Sequence, residues 1–443
     1  MSKILKLLAL TVLLAFATNK VMADTIASDG DAEIKFNGHF HFQAGWRHQN
    51  HLTPKEKFMT ANNKDFALFS SAALNLQATF NADNGISYGA LLSFKPTAFH
   101  NTSGSYNGSN IFVNSDFGKM QFGSQEAAGS VMRISFLSIT AATGDDWTRY
   151  FETKSDHMNY NGVPTAFPNT GYFFENTIKS YLSDASLDKA EGTRKISLFT
   201  GYKGLSIGVS YIPDSSNVGS YKHSANSSGI ETIEFGPNEN KGNAEFNKNV
   251  KNAFSVGLSY NHAINDSLDA TIAATSDFGN SVGSVKVTSD QNQLTGTYKL
   301  SNLFYYDVGA MLDIKGLSFV DGTFSLAGSY GTFGKSLTAK EINDNVNRKS
   351  WYYTAAIAYQ QGPIKTSLSW YEGHKFENQI NALVLGTQIQ LFPGWSSYIE
   401  VSDVRAKRGS SYNLSDPNNL KLQRAPKATT KANILLLGTK LKI

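Results

Sequence analysis

The chain ends in the stretch ANILLLGTKLKI, residues 432–443, and this stretch decides the fold. Counted back from the end in twos it reads Ile443, Leu441, Thr439, Leu437 and Leu435, with Lys442, Lys440, Gly438 and Leu436 between them. A period of two indicates a β-strand with one apolar face and one more polar face. No turn or cap follows this strand, so its backbone groups need a partner strand elsewhere in the chain.

About sixteen segments share this alternation. In EIKFNGHFHFQAGWR, residues 33–47, the apolar face carries Ile34, Phe36, Phe40, Phe42, Ala44 and Trp46. The opposite faces carry Ser, Asn, Gln, His, Lys and Gly, which suit water better than a core. Many segments are long enough to cross a bilayer, and Tyr and Trp cluster toward their ends, as an aromatic girdle requires. The pattern therefore favours membrane-spanning strands over the shorter strands of a sandwich.

The connections between these segments alternate between short and long. The seven short ones are NADNG from residue 81, SDFGK from 115, GYKG from 201, INDS from 264, KGLSFVDG from 315, QQGP from 360 and FPG from 392. The eight longer ones span residues 48–65, 96–108, 127–193, 213–251, 278–301, 334–350, 372–379 and 406–431. Short periplasmic turns alternating with long extracellular loops are typical of outer-membrane barrels. We therefore predict an all-β fold, a closed 16-stranded antiparallel transmembrane β-barrel whose last strand pairs with its first.

Residues 1–23 are predicted to form a signal peptide, with residues 24–443 as the barrel. Lys3 and Lys6 precede an apolar run of 11 residues, Leu7 to Ala17, and VMA before Asp24 offers small residues for cleavage. The alternative is an N-terminal anchor helix, but Asn19 and Lys20 interrupt the run. The prediction implies export from the cytoplasm.

Composition excludes several classes of protein. Without the leader, 37 basic residues oppose 36 acidic residues, so the chain lacks the charge excess of a nucleic-acid-binding protein. It contains no cysteine, which excludes disulfides and zinc–thiolate sites. No stretch after residue 23 is apolar over the length of a transmembrane helix.

Four motifs carry a resemblance to a known family. They are RKISLFTGYKGLSIGVSYIPD from residue 194, SDFGKMQFGSQ from 115, YYTAAIAYQQGPIKTSLSWYEG from 352 and the terminal LLLGTKLKI. With these motifs in their order along the chain and with these loop lengths, the chain is similar to the trimeric gram-negative porins, especially those of alphaproteobacteria. The resemblance covers essentially the whole mature chain.

The resemblance implies an outer-membrane porin, a water-filled channel for passive diffusion of small hydrophilic solutes and ions. It implies a homotrimer in outer-membrane lipid, without a cofactor, and small outward residues such as Gly38, Ala72 and Ala78 would allow close approach of two walls. It also implies that barrel-insertion machinery recognises the last strand, although the family usually ends in Phe and this chain ends in Ile443. The alternative function is an outer-membrane adhesin or surface antigen acting through the long loops.

In this family the third loop folds inward and narrows the channel. Candidate residues of this constriction loop are Asp145, Asp146, Arg149, Glu152 and Asp156. Candidate residues of the facing pore wall are His39, His41, Arg47, Lys95, Lys195 and Lys365. Acidic and basic groups on opposite sides would set up a transverse field. The alternative is a solvated outer loop.

Residues 126–193 contain nine acidic and five basic side chains, which favours cations. We expect Arg47 and Lys195 to lie near the rim, where solvent screens their charges. The sequence therefore predicts a mild cation preference.

Two other kinds of site receive little support. His39 and His41 could form a metal pair, but no acidic residue of the same segment completes it, and a polar lumen explains both. The nearest match to a nucleophile elbow is AGSYG at residue 327, which begins with Ala. There is no Walker loop and no His-Glu-x-x-His motif, so we expect no enzyme, although a triad could be assembled across strands.

Overall fold

The computed structural model describes most of the chain. The described ranges are 25–29, 32–50, 65–82, 85–95, 105–151, 194–215, 230–235, 242–247, 250–282, 284–288, 294–317, 320–336, 349–375, 377–413 and 421–443. The predicted leader, residues 1–23, lies outside these ranges. So do Glu152 and Asp156.

Strands account for nearly all of the described structure. They are β1 (Thr25–Asp29), β2 (Ala32–Gln49), β3 (Phe66–Asn81), β4 (Ser87–Lys95), β5 (Ser105–Ser115), β6 (Gly118–Ser124), β7 (Arg194–Tyr202), β8 (Leu205–Asp214), β9 (Ile230–Phe235), β10 (Gly242–Asn247), β11 (Val250–Asn265), β12 (Leu268–Ser281), β13 (Ser284–Thr288), β14 (Leu294–Lys299), β15 (Leu303–Leu317), β16 (Val320–Gly334), β17 (Ser350–Gln361), β18 (Ile364–Lys375), β19 (Asn378–Phe392), β20 (Trp395–Asn413) and β21 (Lys421–Lys442). A short helix, α1 (Ala128–Met132), and two 3-10 turns, Phe136–Ser138 and Asp146–Arg149, lie between β6 and β7. No helix in the described ranges is long and apolar enough to cross a membrane.

Sixteen of these strands form a closed antiparallel barrel, which confirms the prediction. The ring runs from β2 to β8, then through β11, β12 and β15 to β21, and β21 pairs back onto β2. Along this seam Ala432 to Lys442 lie opposite Gln49 to His39. Gly38 and Ile443 exchange two backbone hydrogen bonds of 2.9 Å. The apolar terminal strand therefore has a partner on both edges, β20 and β2.

Side chains alternate between the outside and the inside of the barrel. The outer face leaves large apolar residues exposed, among them Leu68 and Ile111 at 61% each and Val308 at 55%. On the inside, Gln43 and Arg47 of β2 are buried. A belt of exposed apolar side chains around a barrel suits lipid hydrocarbon rather than water.

The seven short turns lie at one end of the barrel, here called the turn end, and the opposite end is the loop end. All seven occur where the sequence predicts them. The turn between β7 and β8 shows why they are tight, because Lys203 and Gly204 both have positive φ, 47° and 84°. Two residues with positive φ match the twist of antiparallel strands in a two-residue hairpin.

The loop end differs from the prediction in three places. Residues 372–375 and 378–379 belong to strands and not to a loop, because β18 and β19 stay paired out to Lys375 and Asn378. The polar side chains of this stretch instead form hydrogen bonds with one another. Glu372 Oε1 lies 2.6 Å from Gln379 Nε2 and 2.8 Å from His374 Nε2. Polar composition there thus belongs to paired strands whose side chains bond to one another.

The other two differences also come from additional pairing. β20 and β21 extend as a two-stranded ribbon to Asn413 and Lys421, within the stretch predicted as a loop at 406–431. The predicted loops 213–251 and 278–301 contain β9, β10, β13 and β14, which form a separate four-stranded antiparallel sheet.

Cysteine pairs across the seam test the closure and its register. Phe42→Cys with Thr439→Cys joins direct partners of β2 and β21, and the chain has no other cysteine. Opposed residues in an antiparallel pair have Cα atoms about 4.5–5.5 Å apart, which a disulfide spans. We expect this pair to oxidise readily in the folded protein and to make the unfolded chain migrate faster on a gel.

The control combines Phe42→Cys with Leu435→Cys, which the register places opposite Trp46. It should stay reduced, because the two residues are too far apart to bridge. Equal oxidation of the two pairs would contradict the register of the seam.

Candidate functional site

Residues 125–151, here called the inward segment, run along the inner wall of the barrel. Helix α1 packs against β7, β8, β11 and β12. Its backbone reaches side-chain acceptors on two of these strands: Ala128 N–H donates to Ser210 Oγ at 2.9 Å, and Gly129 N–H donates to Ser255 Oγ at 2.8 Å. Serine is well suited to this role, because it offers an acceptor and takes little space.

The middle of the inward segment continues along the next strands. Phe136 N–H donates to Thr354 Oγ1 of β17 at 3.3 Å, and Ala141 N–H donates to Ser367 Oγ of β18 at 2.7 Å. On β15, a Cβ at Gly309 would overlap the carbonyl of Ile134, so only glycine lets the two backbones lie this close.

Glu400 of β20 holds the next part of the segment. Its side chain is fully buried, and Oε2 accepts hydrogen bonds from Thr143 N–H at 3.1 Å, Thr143 Oγ1 at 2.8 Å and Gly144 N–H at 2.7 Å. Lys440 of β21 donates from Nζ to the carbonyl of Ala142 at 2.7 Å. Both charged groups are thus bonded to the backbone of the segment.

Arg47 and Lys195 bind the two ends of the inward segment. Lys195 Nζ donates to the carbonyl of Gln125, and Arg47 Nη1 donates to the carbonyl of Tyr150 at 2.8 Å. Both side chains are buried: Lys195 is 2% exposed and Arg47 is 7% exposed. The expectation that solvent screens their charges is therefore wrong, because alternation identifies the inner face of a strand but not what covers it.

Asp146 lies beside the inner face of β2, and Asp145 precedes it directly in the chain. Asp146 Oδ2 accepts a hydrogen bond from Gln43 Nε2 at 3.2 Å and lies 4.0 Å from His41 Nε2. His41 in turn lies 2.7 Å from the hydroxyl of Tyr398. Of the predicted constriction and wall residues, Asp146 and His41 are brought together.

The other predicted constriction and wall residues lie at different places in the barrel. Arg149 ends the second 3-10 turn, and its side chain is not described. His39 is exposed on the inner face near the turn end, and Lys365 is partly exposed on the inner face of β18. Lys95 is the last residue of β4, and its side chain is likewise not described. Within the described ranges, no three His, Asp or Glu residues are grouped to hold a metal ion.

An apolar cluster beneath the segment departs from the expected polar lumen. Phe136, Ile139, Trp147 and Phe151 of the segment belong to one buried cluster with inner-wall residues of β15 to β21. These wall residues include Tyr305, Tyr352, Ile380, Val404, Ile434 and Leu436. Burying such side chains stabilises the segment's position, since each fully buried one contributes about 1.5–3 kcal/mol.

Arg133 is a buried cation of the segment that sequence reasoning missed. Its guanidinium lies 4.7 Å from the centre of the Tyr305 ring, and Nε lies 4.0 Å from Asp307 Oδ1. Burial lowers the pKa of Arg133, but Tyr305, Tyr352 and Asp307 outweigh it and raise the pKa above its ordinary value. The group is thus charged at any physiological pH.

Replacing Glu400 tests whether its carboxylate holds the segment. Glu400→Leu keeps similar volume but removes the acceptor of three hydrogen bonds, and each buried donor left without a partner costs about 1–3 kcal/mol. We expect noisier single-channel currents and a lower free energy of unfolding. Glu400→Gln is the matched control, because its amide oxygen can occupy the place of Oε2 and retain most of the parent behaviour. Equal effects of the two replacements would show that the acceptor is not what matters.

Comparisons with known proteins agree with this architecture. The family model described as Gram-negative porin matches residues 9–409. An uncharacterized protein of Rickettsia conorii is 35% identical over 436 residues, and one of Rickettsia prowazekii is 34% identical over 436, each alignment covering 94% of both chains. The solved anion-selective porin from Comamonas acidovorans shares the fold, with a TM-score of 0.52 and 12% identity over 93% of this chain and all of that one.

The family and the fold are those of non-enzymatic channels, and the adhesin alternative is not favoured. The chain therefore belongs to the Gram-negative porin family and is an outer-membrane porin.

Proposed function

We propose that the inward segment forms the constriction of this channel and that Asp145 and Asp146 give it a mild preference for cations. The observation that carries the proposal is the position of Asp146, between Gln43 and His41 on the inner face of β2. Two of the basic residues expected to oppose the aspartates do not face them across a lumen. Arg47 and Lys195 are buried against the backbone of the segment, which leaves the two aspartates as the larger influence on a passing ion.

Lys440 moderates this preference. It lies on the inner face of β21, opposite His41, and its ammonium is bonded to Ala142 O, three residues before Asp145. Counted with Glu400 and Arg47, which bind the same segment nearby, three carboxylates and two cations leave a net negative site. The resulting selectivity is weak, because water in the channel screens each charge.

We propose that the turn end faces the periplasm and the loop end the cell exterior. All seven short turns lie at the turn end together with the start of β2 and the end of β21. Short turns on the periplasmic side are the rule for barrels of this kind.

Replacement of both aspartates by asparagine tests whether they set the ion preference of the constriction. Asp145→Asn with Asp146→Asn should lower the ratio of cation to anion permeability about twofold to fivefold, since a charge at 4 Å in water contributes about 1 kcal/mol. The measurement is the zero-current potential of a planar bilayer in a KCl gradient. Asp116→Asn, in the exposed turn between β5 and β6, makes a charge change of the same kind outside the pore and is the control. An unchanged potential and conductance would place the constriction elsewhere.

We further propose that the mature chain begins at Asp24 and assembles as a homotrimer. Ala72 and Ala78 are partly buried small residues on the outer face of β3. Gly38 contributes less than expected, because Leu74 and Ile443 already occupy the space beside it. Support for the trimer therefore comes mainly from the family.

Native mass spectrometry of the detergent-extracted protein tests both proposals together. We expect a complex with three times the mass of residues 24–443. A complex of one chain would contradict the trimer, and a subunit that retains residues 1–23 would contradict the leader.

A further inference from the structure

Arg133 is a charged side chain of the inward segment that packs into the barrel wall. Its side chain is 5% exposed, and the side chain of Asp307, which faces it from β15, is fully buried. Within the described ranges, none of its three guanidinium nitrogens donates a hydrogen bond. Arg133 is therefore attached to the wall by electrostatic attraction, to the face of the Tyr305 ring and to the Asp307 carboxylate.

The side chains of the wall are arranged around this cation. Tyr352 of β17 donates a hydrogen bond from its hydroxyl to Asp307 Oδ2, and the hydroxyl of Tyr305 lies 2.8 Å from that of Tyr352. The other carboxylate oxygen of Asp307, Oδ1, is the one that lies 4.0 Å from Arg133 Nε. Asp277 of β12 is a second carboxylate that interacts electrostatically with Arg133. One cation of the segment thus compensates buried negative charge on two strands of the wall.

Arg133 differs from the other charged anchors of the inward segment. Lys195, Arg47, Glu400 and Lys440 belong to the wall and bond to backbone atoms of the segment. Their contacts do not require a particular side chain in the segment. Arg133 belongs to the segment and its partners belong to the wall, so its contribution is lost when this one side chain changes.

The residues that follow Arg133 are held by neutral contacts. Gly309 of β15 leaves room for the carbonyl of Ile134, and Phe136 N–H donates to Thr354 Oγ1 of β17 at 3.3 Å. Neutral hydrogen bonds are weaker than those that involve an ionised group. Removal of one partner of a buried ion pair leaves an uncompensated charge and is strongly destabilising. Loss of Arg133 should therefore loosen this part of the segment.

We propose that Arg133 is a positioning residue of the constriction. Its charge, held between Tyr305 and Asp307, keeps residues 133–139 against β15 and β17 and so sets the width of the channel on this side. The inference rests on the proposed function of the inward segment as the constriction. A purely structural role would instead affect the stability of the whole barrel and both halves of the segment alike.

Two single-cysteine reporters separate local release from general destabilisation. Ile134→Cys lies next to Arg133, and Ala142→Cys lies in the second half of the segment, where the carbonyl of residue 142 binds Lys440. Both positions are buried, and the chain has no other cysteine. The rate of reaction with a charged thiol reagent reports how often each half leaves the wall.

Arg133→Leu should release the first half of the segment. The Ile134→Cys reporter should react at least about tenfold faster, because Asp307 is left buried without its cation, and the Ala142→Cys reporter should change less than about twofold. Single-channel conductance, measured without the reporters in a planar bilayer, should rise because the channel is wider.

Lys119→Leu is the matched control for Arg133→Leu. Lys119 lies on β6, and its ammonium lies 5.4 Å from the centre of the Phe112 ring, so this variant also removes a cation from an aromatic ring inside the barrel. Lys119 is exposed and lies outside the inward segment. Its replacement should leave the reaction rates of both reporters unchanged.

Asp307→Asn tests the partner of Arg133. Asparagine keeps an acceptor for Tyr352 but removes the charge, so it should also raise the reaction rate of the Ile134→Cys reporter. Arg133→Leu combined with Asp307→Asn should react more slowly than Arg133→Leu alone, because the uncompensated carboxylate is gone. Arg133→Lys retains the positive charge and should lie nearest the parent protein.

Three results would count against the inference or against its basis. Equal acceleration of both reporters by Arg133→Leu, or an unchanged Ile134→Cys reporter, would overturn the inference. If Arg133→Leu does not fold, Asp307→Asn and Arg133→Lys decide by the same criteria. Release of the first half without any rise in conductance would overturn the proposed constriction and the effect on channel width, and would leave only the contact between Arg133 and the wall.

Discussion

The whole structure depends on one requirement, that every backbone N–H and C=O at membrane depth must find a partner within the protein. Hydrocarbon offers no hydrogen bonds, so an open sheet edge at this depth costs several kcal/mol for each unpaired group. The chain meets the requirement by pairing β21 with β2 along eleven consecutive positions. Its last residue, Ile443, still exchanges two hydrogen bonds with Gly38. The apolar stretch is thus the closing strand of the barrel.

The same requirement applies inside the barrel. The inward segment is mostly irregular and buried, so its N–H groups need acceptors that regular structure would otherwise supply. The wall provides them one strand at a time, through hydroxyls of Ser210, Ser255, Thr354 and Ser367 and through the carboxylate of Glu400. Where Ser and Gly alternate with larger outward residues, the sequence therefore encodes two surfaces at once, one for lipid and one for this segment.

Period-two alternation and turn residues predicted much of the fold. The seven turns, the outward faces and the closing strand follow from local sequence, because strand geometry repeats every two residues. The wrong predictions share a cause, which is that local sequence does not show the contacts that a side chain makes with other strands or segments. Polar residues at 372–379 suggested a loop, whereas Gln379 and Glu372 bond across β18 and β19. Arg47 and Lys195 were assigned to the inner face and expected to be hydrated, and a segment about 100 or 70 residues away in sequence covers them. Glu400 was missed because its partners, Thr143 and Gly144, lie more than 250 residues away.

The contacts of the inward segment also constrain the order in which the protein assembles. The segment is anchored on β7 near its start and on β2, β20 and β21 near its end, so its final position joins the first and last parts of the chain. Contacts of such high sequence separation form late, because the entropy of closing long loops must be overcome before they contribute. The terminal strand must be in place before Lys440 and Glu400 can receive the segment. We therefore expect the segment to take its final position only after the barrel has closed.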